Sequence, residues 1–215
     1  MRIFLDTGNV EAVKRGVDTG MVTGVTTNPT HIAKTGRKFY DVVKEICAVA
    51  PGPVSVEAMG ENATELINQA KQINSLAPNI AVKIPMTVEG LKAVPVLTKE
   101  FNIKTNVTMV FSSTQAFLAM MAGTTFVSVV LSRLDAIANE SHILLEDAVL
   151  IKKNYGFKSE VLAASLKTQN HILAALRSGA DILTIPDSLF FQLYHHPLTD
   201  AGLSQFKLDW EKVPK

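Results

Sequence analysis

Cysteine is almost absent from this chain: Cys47 stands alone among 215 residues. A single thiol excludes an intrachain disulfide framework and a cysteine-based zinc cluster, and within EICAVA it reads as a small core hydrophobe. A surplus of either charge is missing as well. Lysine and arginine number 21 against 20 acids, a formal net charge of +1 with no basic block, so neither nucleic acid nor an acidic membrane surface is expected as a partner. No window is long and apolar enough to span a bilayer, and the opening MRIFLD lacks the apolar stretch of a signal peptide. A cytoplasmic protein is therefore expected, and the Asn-X-Ser/Thr matches beginning at Asn62, Asn106 and Asn139 read as chance. The glycine-rich dinucleotide fingerprint is absent too, since DTGNVEAV after the first apolar run carries one glycine. No low-complexity linker or composition break divides the chain.

What is present is alternation. Short β-branched runs recur at intervals of roughly 20–35 residues, separated by amphipathic stretches, which is the pattern of repeated βαβ units. The strands read as 2–6, 24–28, 54–59, 80–85, 103–110, 126–132, 160–165 and 182–186. The helices are clearest over 63–76, 113–123, 141–156 and 168–179, three of them closed by Gly123, Gly156 and Gly179. Pro95 inside GLKAVPVLTKEF is expected to kink or split its helix. Eight strands alternating with helices over 1–215 point to an α/β fold, a single (β/α)8 TIM barrel at the compact end of that architecture. The rival, a doubly wound open sheet, lacks its fingerprint.

A barrel carries its active site at the C-terminal ends of the strands. There the chain offers Asp6, Asn28, Glu57, Lys83, Thr108, Arg133 and Ser165. Each has a plain reading of its own. Asp6 or Ser165 serves as a helix cap, the Thr26–Asn28 stretch before Pro29 as a turn, and Arg133 with Asp135 as a surface ion pair. Lys83 resists such a reading, because Val82, Ile84 and Pro85 place its ammonium in a buried strand, where an unpartnered charge is costly. A desolvated lysine can instead supply a neutral amine that attacks a carbonyl and forms a Schiff base. Cleavage of a carbon–carbon bond beside that imine also needs a carboxylate to move protons, hydroxyls and amides to hold substrate hydroxyls, and cations for any phosphate. His195 and His196 are adjacent and point apart on a helix, a poor chelate. His142 and His171 read as surface or packing residues, while His31, after NPT, can reach the rim. No metal site is expected.

The stretches FLDTGNVEAV, GVTTNPT, VSVEAM, VKIPMTVEGL, TNVTMVFSSTQA, SRLD and LAASLKT, in order from residue 3 to 168, resemble the transaldolase family, and HHPLTDAGLSQFKLDW resembles its closing region. The likeness is greatest to the small subgroup that includes the fructose-6-phosphate aldolases. The resemblance implies a class I aldolase-type barrel without metal or cofactor, acting on sugar phosphates. Lys83 matches the family's Schiff-base lysine and Asp6 its acid–base aspartate. Glu57 matches the carboxylate that, with Thr108, holds a catalytic water. Asn28 and Asn106 match amides that hold the dihydroxyacetone unit, with Thr26 in the same loop and Ser128 as a further polar contact. Arg133, Ser165 and Lys167 fall where the family binds phosphate. Members of the subgroup often form pentamers or decamers, and the C-terminal helix, about 199–212, is apolar enough to pack on a neighbour.

Within that resemblance, transaldolases pass a dihydroxyacetone unit between sugar phosphates, whereas the aldolase branch releases or accepts it free. The aldolase pattern resembles glutamine at position 57 and lacks the amide of Asn106 and the hydroxyl of Ser128, so all three residues side with transaldolase. A binding protein that kept the site without turnover would have no need of a buried amine, and a metal-dependent aldolase would need a histidine cluster at the strand ends. The chain also departs from both branches. SVVLSR stands where the family reads close to SPFVGR, putting Val129 for proline and Val130 for an aromatic residue. His31 replaces an aliphatic residue, and Lys167 replaces an arginine, exchanging a planar fork for a point charge. A modified ketose, for instance a sulfonated one, is one substrate these changes would suit. Losing an aromatic wall at 130 widens the pocket, so Val130→Phe is expected to change the preference among ketose donors. Unchanged relative kcat/KM values across a donor panel would contradict this.

Overall fold

The computed structural model of the chain describes residues 1–214. Strands β1 (Arg2–Asp6), β2 (Val22–Thr26), β3 (Val54–Glu57), β4 (Ile80–Pro85), β5 (Thr105–Val110), β6 (Phe126–Val130), β7 (Glu160–Ala164) and β8 (Ile182–Pro186) run parallel in sequence order. The sheet closes on itself, β1 pairing with both β2 and β8. Helices α1 (Val10–Asp18), α2 (Pro29–Ala33), α3 (Phe39–Val49), α4 (Ala63–Asn74), α5 (Val88–Pro95) and α6 (Ser113–Met121) follow the first five strands. The second half adds α7 (Ser132–Asp135), α8 (Ser141–Tyr155), α9 (Gln169–Ser178), α10 (Asp187–Gln192) and α11 (Pro197–Trp210). The (β/α)8 barrel expected from the alternation is the fold observed.

Local chemistry explains where elements begin and end. β2 lies two residues earlier than the pattern suggests, because Asn28 leaves the ladder to cap α2. Its side chain accepts the His31 N–H at 2.8 Å, with Pro29 in the first helical position. β6 stops at Val130 rather than at 132, since Ser132 already opens α7. At Pro95 the chain ends α5 and widens into a π-helical turn over Val96–Glu100. Proline has no N–H for the ladder, and its ring crowds the preceding turn. Gly156 and Gly179 cap α8 and α9 in the left-handed region, at φ 65° and 78°, a conformation that costs glycine no Cβ clash.

Two apolar regions hold the barrel. Outside the sheet, one continuous core packs strand residues such as Leu5, Val25, Val82 and Val161 against Ile46, Leu66 and Leu145 of the helices. Inside, Phe4, Ala81, Phe126, Leu162 and Ile182 form a separate plug. The rings of Phe4 and Phe126 meet edge to face, with centroids 6.2 Å apart. Each such ring contributes roughly 2–3 kcal/mol of burial. The plug leaves no room at Gly24, where an added Cβ would lie 2.6 Å from the Phe4 ring. Water is thereby kept from one end of the barrel, and the polar side chains collect at the other.

Cys47 packs in the outer core at 7% exposure, and burial pushes its thiol up to about 11, so it stays protonated. Helix α11 differs from every other long helix in having no buried residue. No helix among the described residues is long and apolar enough to cross a membrane.

Candidate active site

Strand register assembles the site. Parallel neighbours that face each other share a side of the sheet, and the pairing aligns Glu57 with Lys83, Lys83 with Asn106, and Asp6 with Thr26. Lys83 is 9% exposed. Its Nζ lies 2.7 Å from Glu57 Oε2 and donates to the Thr27 carbonyl at 3.0 Å. The ammonium that looked isolated in its apolar strand has a counter-charge one strand away. One of its three donors is hydrogen-bonded to the Thr27 carbonyl, and the Glu57 carboxylate supplies the charge partner.

Beneath the cavity lie two hydrogen-bonded sets. In the first, the Thr26 hydroxyl donates to Asp6 Oδ1 at 2.9 Å and sits 2.6 Å from the Thr184 hydroxyl. Thr26 has one proton, and the carboxylate takes it, so Thr184 must be the donor in the second bond. Asp6 is thus held through a directed chain reaching β8. In the second set, Ser128 Oγ donates to Asn106 Oδ1 at 2.7 Å, and Asn106 Nδ2 donates to Ser55 Oγ at 3.0 Å. Asn106 is fully buried below the cavity rather than lining it, while Ser128 reaches the cavity wall.

The cavity above these sets measures about 540 Å³, and Asp6, Thr26, Asn28, Glu57, Lys83 and Thr108 all line it. Arg133, Ser165 and Lys167 stand on its rim beside Val130 and Ser132. The hydroxyls of Ser132 and Ser165 lie 2.7 Å apart. The Arg133 guanidinium is directed at Met109 Sδ, 3.8 Å away. Among the described residues neither Arg133, Lys167 nor Lys34 has a carboxylate within ion-pair distance. Three unpaired cations at one mouth favour an anion. Met109 and Ser165 hold φ of 63° and 59° on this rim, left-handed conformations that cost non-glycine residues of order 1 kcal/mol or more and cluster at functional sites. A second cavity of about 610 Å³ adjoins the first, sharing Asp6, His31, Lys34, Ser165 and Lys167. His31 Nε2 lies 3.5 Å from Asp6 Oδ1 where the two meet.

Ten of the eleven site residues read from the chain thus meet around one cavity, with Asn106 supporting it from below. The plainer readings are corrected. The caps are Asn9 and Thr168, not Asp6 and Ser165, and Asp135 pairs with His171, not with Arg133. Sequence reading missed Thr184, Ser55, Ser132 and the Thr27 carbonyl. Thr184 carried a signal, a lone hydroxyl in the apolar strand ILTIP, whereas the others are visible only once the strands are paired. Among the described residues no three His, Cys, Asp or Glu side chains converge as a metal site requires.

An amine beside one carboxylate, a second carboxylate opposite, and unpaired cations at the rim suit covalent chemistry on a small anionic carbonyl compound. A family model described as transaldolase/fructose-6-phosphate aldolase matches residues 3–215. A "probable transaldolase" of Moorella thermoacetica is 48% identical over 213 residues, covering 99% of each chain. Proteins of the same name from Herpetosiphon aurantiacus and Aquifex aeolicus are 50% and 49% identical, covering 100% of this chain and 96% and 99% of theirs. Among solved structures, a thiamine phosphate pyrophosphorylase from Pyrococcus furiosus superposes with a TM-score of 0.57 at 16% identity, covering 86% of this chain and 85% of that one. That likeness concerns the fold alone.

The Lys83–Glu57 pair generates a stability test. Glu57→Leu leaves the ammonium with only a carbonyl partner. The expected cost is about 2 kcal/mol at neutral pH, less than for a pair sealed from water because this one opens on the cavity. Removing both charges, as Lys83→Met with Glu57→Leu, is expected to recover most of that loss in urea denaturation. An unchanged midpoint for the single variant would contradict the pairing.

Proposed function

The chain belongs to the transaldolase/fructose-6-phosphate aldolase family and is a transaldolase-type enzyme, and we propose that it moves a dihydroxyacetone unit from a ketose phosphate to an aldose phosphate through a Schiff base on Lys83. The observation that carries this reading is the Lys83 amine, 2.7 Å from Glu57, facing the cavity that Asp6 also lines.

In this reading Glu57 takes a proton from the Lys83 ammonium, and the free amine attacks the C2 carbonyl of fructose 6-phosphate or sedoheptulose 7-phosphate. Loss of water, with Glu57 and Thr108 handling the protons, gives the iminium. Asp6 removes the C4 hydroxyl proton, and the C3–C4 bond breaks. Its electron pair enters the iminium to leave an enamine, and the first aldose departs. The enamine carbon then attacks the carbonyl of the acceptor aldose, Asp6 returns the proton to the new hydroxyl, and water releases the product from Lys83. Asn28, Thr26 and Ser128 hold the three-carbon unit, with Asn106 orienting Ser128 from below instead of touching it, and Arg133, Ser165 and Lys167 take the phosphate. Glu57, Asn106 and Ser128 favour transfer over release of free dihydroxyacetone, because an ionisable carboxylate can accept and return protons that an amide at 57 could only orient.

The reading extends to assembly. Leu203, Phe206 and Trp210 form one stripe of α11 at 62%, 71% and 68% exposure, spaced as neighbours on a single helix face. Since nothing among the described residues covers them, a second copy of this chain is the proposed cover. Light scattering is expected to show a mass several times 23.3 kDa, reduced by Phe206→Glu. A monomeric wild type would overturn this.

The test of the chemistry is intact mass after incubation with fructose 6-phosphate and borohydride, which reduces an imine to a stable amine. A three-carbon adduct on the wild type, absent from Lys83→Ala and discharged when an acceptor aldose phosphate precedes the borohydride, is the expected result. No adduct on the wild type, or one that survives in Lys83→Ala, would overturn the mechanism. Free dihydroxyacetone accumulating without acceptor would identify the aldolase branch instead.

A further inference from the structure

His171 lies outside both cavities, in the first turn of α9, yet it joins the two rim segments that carry the unpaired cations. Its Nδ1 accepts the backbone N–H of Lys167 at 2.9 Å, and its Nε2 lies 2.7 Å from Asp135 Oδ2. A backbone N–H can only donate, so Nδ1 must carry a lone pair and the ring proton sits on Nε2, donated to Asp135. Asp135 ends α7, the short helix that carries Arg133, and also accepts the Ser141 N–H at 3.2 Å. Burial works against its charge, but hydrogen bonds from Ser141 and His171 hold its carboxyl below the usual carboxylate range. The backbone N–H of His171 in turn donates to the Thr168 hydroxyl that caps α9, at 3.3 Å. The segment after β7 and the segment after β6 are therefore tied inside the rim, by the Ser132 and Ser165 hydroxyls and by the Ser132 N–H donating to the Ser165 carbonyl at 3.4 Å, and again behind it through Lys167, His171 and Asp135.

We propose that His171 is a positioning residue for the anion grip, setting the spacing between Lys167 and Arg133 through Asp135 without touching the sugar phosphate. This rests on the reading in which Arg133, Ser165 and Lys167 take the phosphate. Three side chains on two different loops converge on one small anion only if the loops keep a fixed separation. Neither cation is braced by a carboxylate of its own. The brace behind the rim extends the constraint from the Ser132–Ser165 contact to the backbone of Lys167, leaving the charged ends free for ligand. A helix cap alone needs only the Thr168 bond. It does not require a ring whose two nitrogens join Lys167 to a carboxylate 36 residues away.

The test compares wild type with His171→Ala, Asp135→Ala, the double variant and His171→Asn, reading KM and kcat for fructose 6-phosphate and the inhibition constant of inorganic phosphate. Loss of one brace of two hydrogen bonds is expected to raise both KM and the phosphate inhibition constant roughly tenfold, with kcat within about threefold of wild type. The double variant is expected to be no worse than Asp135→Ala, because each single change already breaks the shared connection and Asp135→Ala loses the Ser141 bond besides. In His171→Asn, the side-chain oxygen can still accept the Lys167 N–H, and the variant is expected to recover part of the loss. An unchanged phosphate inhibition constant in His171→Ala, or a kcat that falls as far as KM rises, would overturn the proposal. A wild type that phosphate does not inhibit would overturn the phosphate reading beneath it, which separates the two failures.

Discussion

A lysine ammonium enclosed by a barrel is tolerable only beside a counter-charge, and the register of β3 against β4 provides it by setting Glu57 opposite Lys83. Much of the rest follows from that alignment. A slip of one residue would turn Lys83 into the outer apolar core and bring Val82 or Ile84 inside. Closure of the sheet, with β1 bonded to both β2 and β8, removes the free edge along which such a slip could be accommodated. The Phe4–Phe126 plug closes one end of the interior, so the pair meets water only through the mouth where a substrate would enter. One arrangement both stabilises the charge and presents the amine.

The polar layer between plug and mouth is internally satisfied. Thr184, Thr26 and Asp6 form one chain, and Ser128, Asn106 and Ser55 another. Buried hydroxyls and amides without partners would each cost about 1–3 kcal/mol. Here they orient each other, and through them the groups that face the cavity. The rim is built on the opposite principle. Among the described residues Arg133 and Lys167 have no carboxylate within ion-pair distance, and two non-glycine residues hold left-handed backbone angles. Such features persist where surrounding structure over-determines them, and at Ser165 the hydroxyl of Ser132 and the Ser132 N–H on its carbonyl do so.

How much of this could be read from the chain depends on whether the signal was local. β4 and β8 were legible to the residue, because a β-branched run ending in proline is a local pattern. β2 was displaced because Asn28 and Pro29, which look like the end of an extended segment, instead start a helix. The residues at the strand ends were legible because a barrel sends them all to one mouth, and their roles came from a family resemblance, not from spacing. Thr184 and Ser55 were not read: the lone hydroxyl in ILTIP was a signal, but its role depends on a partner two strands away that only the closed sheet supplies. The solvent exposure of α11 was likewise hidden. An apolar helical stripe looks the same in sequence whether its own chain or another covers it.

Three of the four departures from the pattern this chain resembles fall around the cavity mouth, the exception being Val129 in the outer core. His31, Val130 and Lys167 all line the cavity, and none belongs to the two hydrogen-bonded sets beneath it. A change in the floor would unsettle several partners at once, because every hydroxyl there serves as donor or acceptor for another. A change on the rim meets fewer constraints: Val130 ends a strand and bounds the open cavity, and Lys167 extends from a backbone held by His171 whatever its side chain. In the proposed reading, Asp6, which would move the proton as the carbon–carbon bond breaks, belongs to the part of the barrel least free to vary. The fit to a particular sugar would then fall to the part that can change one residue at a time.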